Sequence, residues 1–328
     1  MKKNIGVVGC GIVGLLISYK FLKLGHKVTI FEKEEHMGLT NCSTTAAGML
    51  SPYCELIHSD KKIFDLGSDS IYRWKKIINE LEMKVYFKTK GSLIVANKEH
   101  VAELDSICSR TNKYTNANIK IIKSKRISAL EPDIDSDDLI GLLFKEEGQI
   151  DCNQIINILI NFLLTNSCSI NFKAEVKNIQ NNSVILDNNK KIKFDHVIEC
   201  AGLHSLNNKR IRAVRGEIIE IHAPEIKISR PIRLNHFRYP VYIAPRENGT
   251  YLIGATEIES EDFSPVSIRS AIELLNSSIV ISKRFSEARI ITLSSNCRPA
   301  YSDNLPKIII RKDYISANGL FRHGYLLS

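Results

Sequence analysis

No stretch of this 328-residue sequence approaches the roughly 20 consecutive apolar residues that a membrane-crossing helix needs. The eight cysteines contain no CxxC pair and fall at irregular spacings, which argues against both a zinc site and a disulfide framework. His36, His58 and His204 show no metal-ligand spacing and read as surface or core residues. There is no internal repeat and no low-complexity linker. The start, "MKKNIGVVGCGIVGLL", is basic and then apolar like a leader peptide, but Gly9, Gly11 and Gly14 interrupt it and no small-residue cleavage site follows. The expectation is a reduced, cytoplasmic protein without membrane insertion.

What is present is ordinary globular composition, 44% hydrophobic and 25% charged, in a chain long enough for one large or two average domains. The net charge of +9 is spread along the chain and permits anionic ligands without requiring them. Residues 4–9 read as a short buried strand, 12–24 as a helix closed by Gly25, and 27–32 as a second strand ending in a carboxylate. Helices are expected at about 68–82, after "NKEH", through "NQIINILINFLLTNS" and at about 266–284. Between 210 and 258 the pattern is strand-rich. An α/β start, a β-rich middle and a return at "FDHVIECAG" suggest one domain inserted into another.

"GCGIVG" at 9–14 is a GxGxxG sequence at a strand-to-helix turn. Gly9 permits the tight turn, Gly11 lets backbone approach a pyrophosphate, and Gly14 lets helix and strand pack closely. The helix start, with Ile12 and Val13, offers free amides and a positive dipole end. Glu32, about 20 residues on, is placed to accept ribose hydroxyls, with Lys33 beside it. This context predicts a bound dinucleotide. The segment "STTAAGML" at 43–50 is poor in bulk. It suits either a flat tricyclic ring lying on the backbone, with Ser43, Thr44 and Thr45 near phosphate or ribitol oxygens, or small residues packing against a sheet.

These pieces stand in order with others: "GVVGCGIVG", "STTAAGMLSPYCE", "GSLIVA", "EEGQID", "EVKNI", "DHVIECAGLHS", "VRGE", "YIAPRENGTYLIGAT", "RPAYSDNLP" and "NGLFRHGYLL". Taken end to end the chain resembles the glycine oxidase and D-amino-acid oxidase group of FAD-dependent enzymes, and most of all the glycine oxidases of thiamine biosynthesis. The resemblance implies an α/β fold: a discontinuous Rossmann-like FAD-binding domain over 1–82, 146–213 and 290–328, with an inserted substrate domain on an antiparallel sheet over 83–145 and 214–289. It implies that Ala47, Gly48 and Met49 face the isoalloxazine ring, that Val176 meets the adenine, and that Ala201, Gly202 and Gly324 border the cofactor. Arg298 is implied to hold the substrate carboxylate beside the flavin, with Tyr242 closing the pocket and Arg322 near the active site. A guanidinium suits that task because it offers two parallel hydrogen bonds in a fixed plane. His323 is not expected to act as a base, because a neutral amine needs none when the cofactor carries the chemistry.

The expected reaction is oxidation of glycine, or a related small amino acid, to its imine with O2 as acceptor, with thiazole-synthesis proteins as downstream partners and a homo-oligomer compatible with the sequence. Alternatives within the group are a D-amino-acid dehydrogenase, a sarcosine oxidase-like enzyme or the oxidase module of a tRNA wobble-uridine modifier. The sequence contains no RNA-binding motif and no methyltransferase partner domain. Family members continue past the motif "GYLL" into a proline and a final helix, so a truncated flavin-binding protein without turnover is a further alternative.

Overall fold

The computed structural model describes residues 1–36, 41–56, 61–206, 210–235, 241–322 and 324–328. Strand β1 (Asn4–Val8), helix α1 (Ile12–Lys23) and strand β2 (Lys27–Phe31) form the expected unit, with β1 and β2 paired in parallel from Asn4–Lys27 to Val8–Phe31. Both strands are covered on two faces, so they read as near-continuous apolar runs instead of alternating ones. Helix α1 buries Ile12, Leu15, Leu16 and Tyr19, a helical stripe. The helix Cys152–Thr165 starts where the Asp151 carboxylate accepts from the Gln154 amide at 2.9 Å, and it packs on α1 through Tyr19 and Phe162.

These elements cover one face of a six-stranded sheet. Its order is Lys307–Ile310, Ile315–Asn318, His196–Glu199, β1, β2 and Ser169–Asn171, parallel except for the first pair. A small antiparallel sheet, Val176–Gln180, Ser183–Leu186 and Lys191–Lys193, closes the other face over Val8, Phe31, Phe194 and Val197. The result is a three-layer α/β architecture.

A second, nine-stranded sheet runs Ile258–Glu259, Arg212–His222, Thr250–Gly254, Val241–Pro245, Ile232–Leu234, Ser92–Asn97, Leu139–Phe144 and Ile121–Lys123, with Arg289–Ala300 paired to Arg212–His222. It is antiparallel except where Ile232–Leu234 meets Ser92–Asn97. The helix Ile268–Ile281, capped by the Ser267 hydroxyl, covers one face, and Val101–Tyr114 packs near the other end. Arg289–Ala300 lies in a stretch expected in the nucleotide-binding part. Its whole length is instead laddered to Arg212–His222 with one bulge near Glu220, so it belongs to the larger sheet.

Between the two sheets lies a three-stranded patch in which Met49–Leu50 and Phe87–Lys88 flank Gly148–Ile150. It carries the small-residue segment to the boundary between the two halves. No helix among the described residues is long and apolar enough to cross a membrane.

Candidate active site

A cleft of about 410 Å³ opens between the two sheets. At one end stands the turn after β1. Gly9 has φ +100, and a Cβ there would come within 2.6 Å of the Cys200 carbonyl oxygen, so only glycine fits. Gly14 does not line the cleft. Its role is packing, since a Cβ would sit 2.1 Å from the Gly9 carbonyl oxygen. The first turn of α1 contains no acidic residue, which leaves its positive end for an anion. The Ser43 hydroxyl accepts from the Ile12 amide at 3.1 Å, while Gly11 and Val13 line the cleft beside it.

Glu32 ends β2 with both oxygens held, Oε2 by the Cys10 amide at 2.9 Å and Oε1 by the Glu34 amide at 3.2 Å. Its carboxylate is therefore fixed at the rim. Lys33 Nζ lies 3.0 Å from His204 Nε2, and burial followed by the Lys33 charge lowers the affinity of that imidazole for a proton. Val176 and the turn at Ala201 and Gly202 line the same wall, with Asn318 Nδ2 donating to the Gly202 carbonyl at 2.8 Å.

The segment from Asn41 to Leu50 crosses the middle of the cleft. Thr44, expected near phosphate or ribitol, instead stands outside the wall: its amide and hydroxyl both donate back to the Asn41 carbonyl, at 3.1 and 2.8 Å. Ser43, Thr45, Ala47, Gly48 and Met49 do line the cleft. Gly48 has φ +58, and a Cβ would lie 2.0 Å from the Ile150 carbonyl oxygen. The segment is small on one side because its neighbouring strand is that close. Arg246 pins it by donating to the Ala47 carbonyl at 2.6 Å and to Gln149 Oε1 at 3.3 Å, with Asp151 at 3.6 Å balancing the charge.

The larger sheet forms the far wall. Its register sets Ser294, Ile218, Gly254, Tyr242 and Arg233 side by side in one row across five strands. The Tyr242 hydroxyl lies over Gly254, 2.6 Å from where a Cβ would stand. Arg298 folds over Gly216, whose missing Cβ would sit 2.4 Å from Nη2, and donates to the Thr256 carbonyl at 3.1 Å. Burial pushes the Tyr242 phenol above its usual range, against the opposing pull of Arg298, Arg246 and Arg233. It is therefore a hydroxyl donor at neutral pH. Asn296 Nδ2 ties the same strand to Thr45 Oγ1 at 3.2 Å.

Arg322 also faces the cleft, paired with Glu257 at 3.3 Å and stacked over Phe321. Gly324 borders it at the start of the helix Gly324–Leu327. His58 and His323 lie outside the described residues. The structure thus brings the named glycines, Glu32, the small-residue segment, Tyr242, Arg298 and Arg322 around one cavity, apart from Gly14 and Thr44.

Sequence reasoning gave no role to Gly216, Glu55, Arg233 or Arg246, although all four stand in or beside the site. Gly216 and Arg246 fall inside the quoted "VRGE" and "YIAPRENG". An arginine between Ile232 and Leu234 was the available signal for a buried charge.

The residues fit FAD. The glycine turn leaves no Cβ at the closest approach, the acid-free helix start suits a pyrophosphate, Glu32 is held at the end of β2 where a ribose acceptor belongs, and a small-residue segment lies between them and the wall that carries Tyr242 and Arg298. The pattern of FAD dependent oxidoreductases (DAO) matches residues 4–328. A protein of Rhizobium etli named for thiamine biosynthesis, the oxidoreductase ThiO, is 31% identical over 326 residues, covering 99% of this chain and 93% of that one. The bifunctional protein ThiO/ThiG of Trichormus variabilis is 24% identical over all of this chain, which spans 51% of its length. The crystal structure of glycine oxidase from Geobacillus kaustophilus has the same fold, with a TM-score of 0.88 at 20% identity over 99% of this chain and 91% of that one. An FAD-bound L-alpha-glycerophosphate oxidase from Mycoplasma pneumoniae aligns at a TM-score of 0.81 and 18% identity, covering 100% and 92%. The chain is a member of the FAD dependent oxidoreductase family and an oxidoreductase that uses FAD.

Proposed function

We propose that the protein oxidises glycine, or a related small amino acid, to its imine with dioxygen as the final acceptor, and that this imine serves thiazole assembly in thiamine synthesis. The observation that carries the reading is Arg298 lying over Gly216 beside Tyr242, a guanidinium and a hydroxyl donor on the cleft face of one sheet. The relative named for thiamine biosynthesis and the bifunctional ThiO/ThiG relative support the downstream assignment.

In this reading Gly9, Gly11, Ile12, Val13, Glu32, Lys33 and Ser43 hold the nucleotide end of FAD. Thr45, Ala47, Gly48 and Met49 border its ring, and Val176, Ala201, Gly202 and Gly324 complete the wall. Bound FAD supplies a two-electron acceptor for the amine carbon and returns the pair to oxygen as peroxide. Arg298 grips the substrate carboxylate in two parallel hydrogen bonds, which fixes the α-carbon against rotation. Tyr242 adds a third donor from the side. Arg322, held by Glu257, braces the approach to the cleft. No side chain is assigned to take a proton from the carbon, and the amine reacts as the free base. The reading places a substrate-binding part on the larger sheet, now including Arg289–Ala300, against an FAD-binding part on the six-stranded sheet.

The test is spectroscopic. Purified protein carries FAD absorbance that bleaches anaerobically with glycine and returns with air, releasing peroxide. Bleaching by another amine but not by glycine moves the substrate; no bleaching by any amine overturns the reading.

A further inference from the structure

Among the described residues, Arg233 is a cleft cation with no hydrogen-bond acceptor. Arg233 is 7% exposed, lines the cleft, and makes no hydrogen bond among the described residues. Its Nε is wholly buried and unpartnered. Its ion pair, Nη2 to Glu55 Oε1, spans 3.6 Å, beyond hydrogen-bond reach. Burying a guanidinium in this way is unfavourable, and a structure that keeps one calls for a ligand or another reason. Arg298, by contrast, already has a role in the reading above.

The position of Arg233 says what the ligand is. Arg233 stands directly opposite Tyr242 in the ladder, so both side chains share the cleft face, one strand spacing of about 4.8 Å apart at the backbone. The Tyr242 hydroxyl leans the other way, over Gly254, and Arg298 is among the charges that act on it. Tyr242 therefore lies between two guanidinium groups. Arg322 is matched by Glu257 and Arg246 by Asp151. Near Arg233, Glu147 is fully buried, bonded by the Cys54 amide at 2.9 Å and by the Ser92 hydroxyl, and burial raises its proton affinity against the opposing pull of the Arg233 charge. Among the described residues, the carboxylates that act on Arg233 are Glu55 and Glu147, and neither accepts a hydrogen bond from it. A second carboxylate on the substrate gives the Arg233 guanidinium the hydrogen-bond acceptor it lacks.

We infer that Arg233 forms a second carboxylate subsite, so that the preferred substrate is a small amino acid with two carboxylates, one on Arg298 and one on Arg233 across Tyr242. The inference rests on the amine-oxidising reading and narrows its substrate class. The bond changes in the substrate are those already proposed.

The experiment uses the FAD-loaded full chain. Anaerobic flavin reduction is followed with iminodiacetate and D-aspartate against the monocarboxylates sarcosine and D-alanine. Binding of the unreactive anions malonate and acetate is followed through the flavin absorbance. One charge-assisted carboxylate contact predicts that at least one dicarboxylate is preferred by about tenfold or more, and that malonate binds about tenfold tighter than acetate. In R233M both ratios fall to roughly one, and in R233K, which keeps the charge without the planar fork, they fall part of the way. Wild-type ratios near one, or ratios unchanged in R233M and R233K, overturn the subsite. Malonate discrimination without bleaching by any amine keeps the subsite and sinks the oxidation reading. Bleaching by glycine without any dicarboxylate preference does the reverse.

Discussion

At the scale of single residues the wall that carries Arg298 and Tyr242 depends on what is missing beside each group. Gly216 lets Arg298 lie flat, so Gly216→Ala places a methyl within 2.4 Å of Nη2 and displaces the guanidinium. The expected result is a raised KM for carboxylated amines with FAD content unchanged. Arg298→Ala removes the proposed carboxylate anchor. Two charge-assisted hydrogen bonds correspond to about 3–4 kcal/mol, so kcat/KM is expected to fall about 10²–10³-fold while the purified variant stays yellow. Normal turnover of glycine by that variant would show that the carboxylate sits elsewhere. Tyr242 supplies a pH test. Burial holds its phenol above the usual value near 10. It stays protonated through the working range, so Tyr242→Phe is expected to raise KM without removing any alkaline limb of the rate profile below about pH 10. A limb that disappears in that variant would mean the phenol ionises in the working range.

Legibility at this scale was uneven, for a physical reason. Gly9 and Glu32 were readable because a strand, a turn and a helix in sequence dictate what their connecting residues must do. Arg298 in "CRPAYSDNLP" looks like a surface loop arginine until its strand is paired, because burial of a charge is decided by partners far away in sequence. Arg233 left only the weak signal of a charge between two apolar residues, for the same reason: its neighbours in the ladder, Ile94 and Tyr242, belong to separate strands. Thr44 was misplaced because a hydroxyl in a turn can serve its own backbone as well as a ligand.

At the scale of elements, α1 and its flanking strands were predictable from period and punctuation, and they appear within a residue or two of expectation. The order of strands in the larger sheet was not, since nonlocal pairing leaves little trace in local pattern, and Arg289–Ala300 crossed the expected boundary as a result. The joint between halves is the segment around Ala47 together with Arg246. Arg246→Met leaves the Ala47 carbonyl and Asp151 without their buried cation. Breaking such a contact is expected to cost about 3 kcal/mol in urea unfolding and to weaken FAD retention on dialysis. A variant that unfolds like the wild type and keeps its flavin would show that the two halves are held by other contacts.

At the scale of the whole molecule the buried thiols and phenols make a common prediction. Burial pushes Cys152 and Tyr86 up to about 12 and Cys168 up to about 11, and raises Cys10 and Cys200 as well. The folded state therefore holds these protons more tightly than the unfolded chain, whose thiols ionise near pH 8.5. Above that value the unfolded state binds fewer protons, so stability falls as pH rises. Urea midpoints measured under reductant are expected to be flat from pH 7 to about 8.5 and to drop steadily toward pH 10. A flat profile to pH 10 would mean that these groups ionise equally well in the native interior.

The row of residues across the larger sheet has a consequence for how this pocket can change. Because each side chain hangs from a rung of a hydrogen-bonded ladder, the pocket behaves as a ruler whose divisions are strand widths. New specificities can arise by exchanging what hangs from a rung, and a longer molecule must reach the next division or find no handhold.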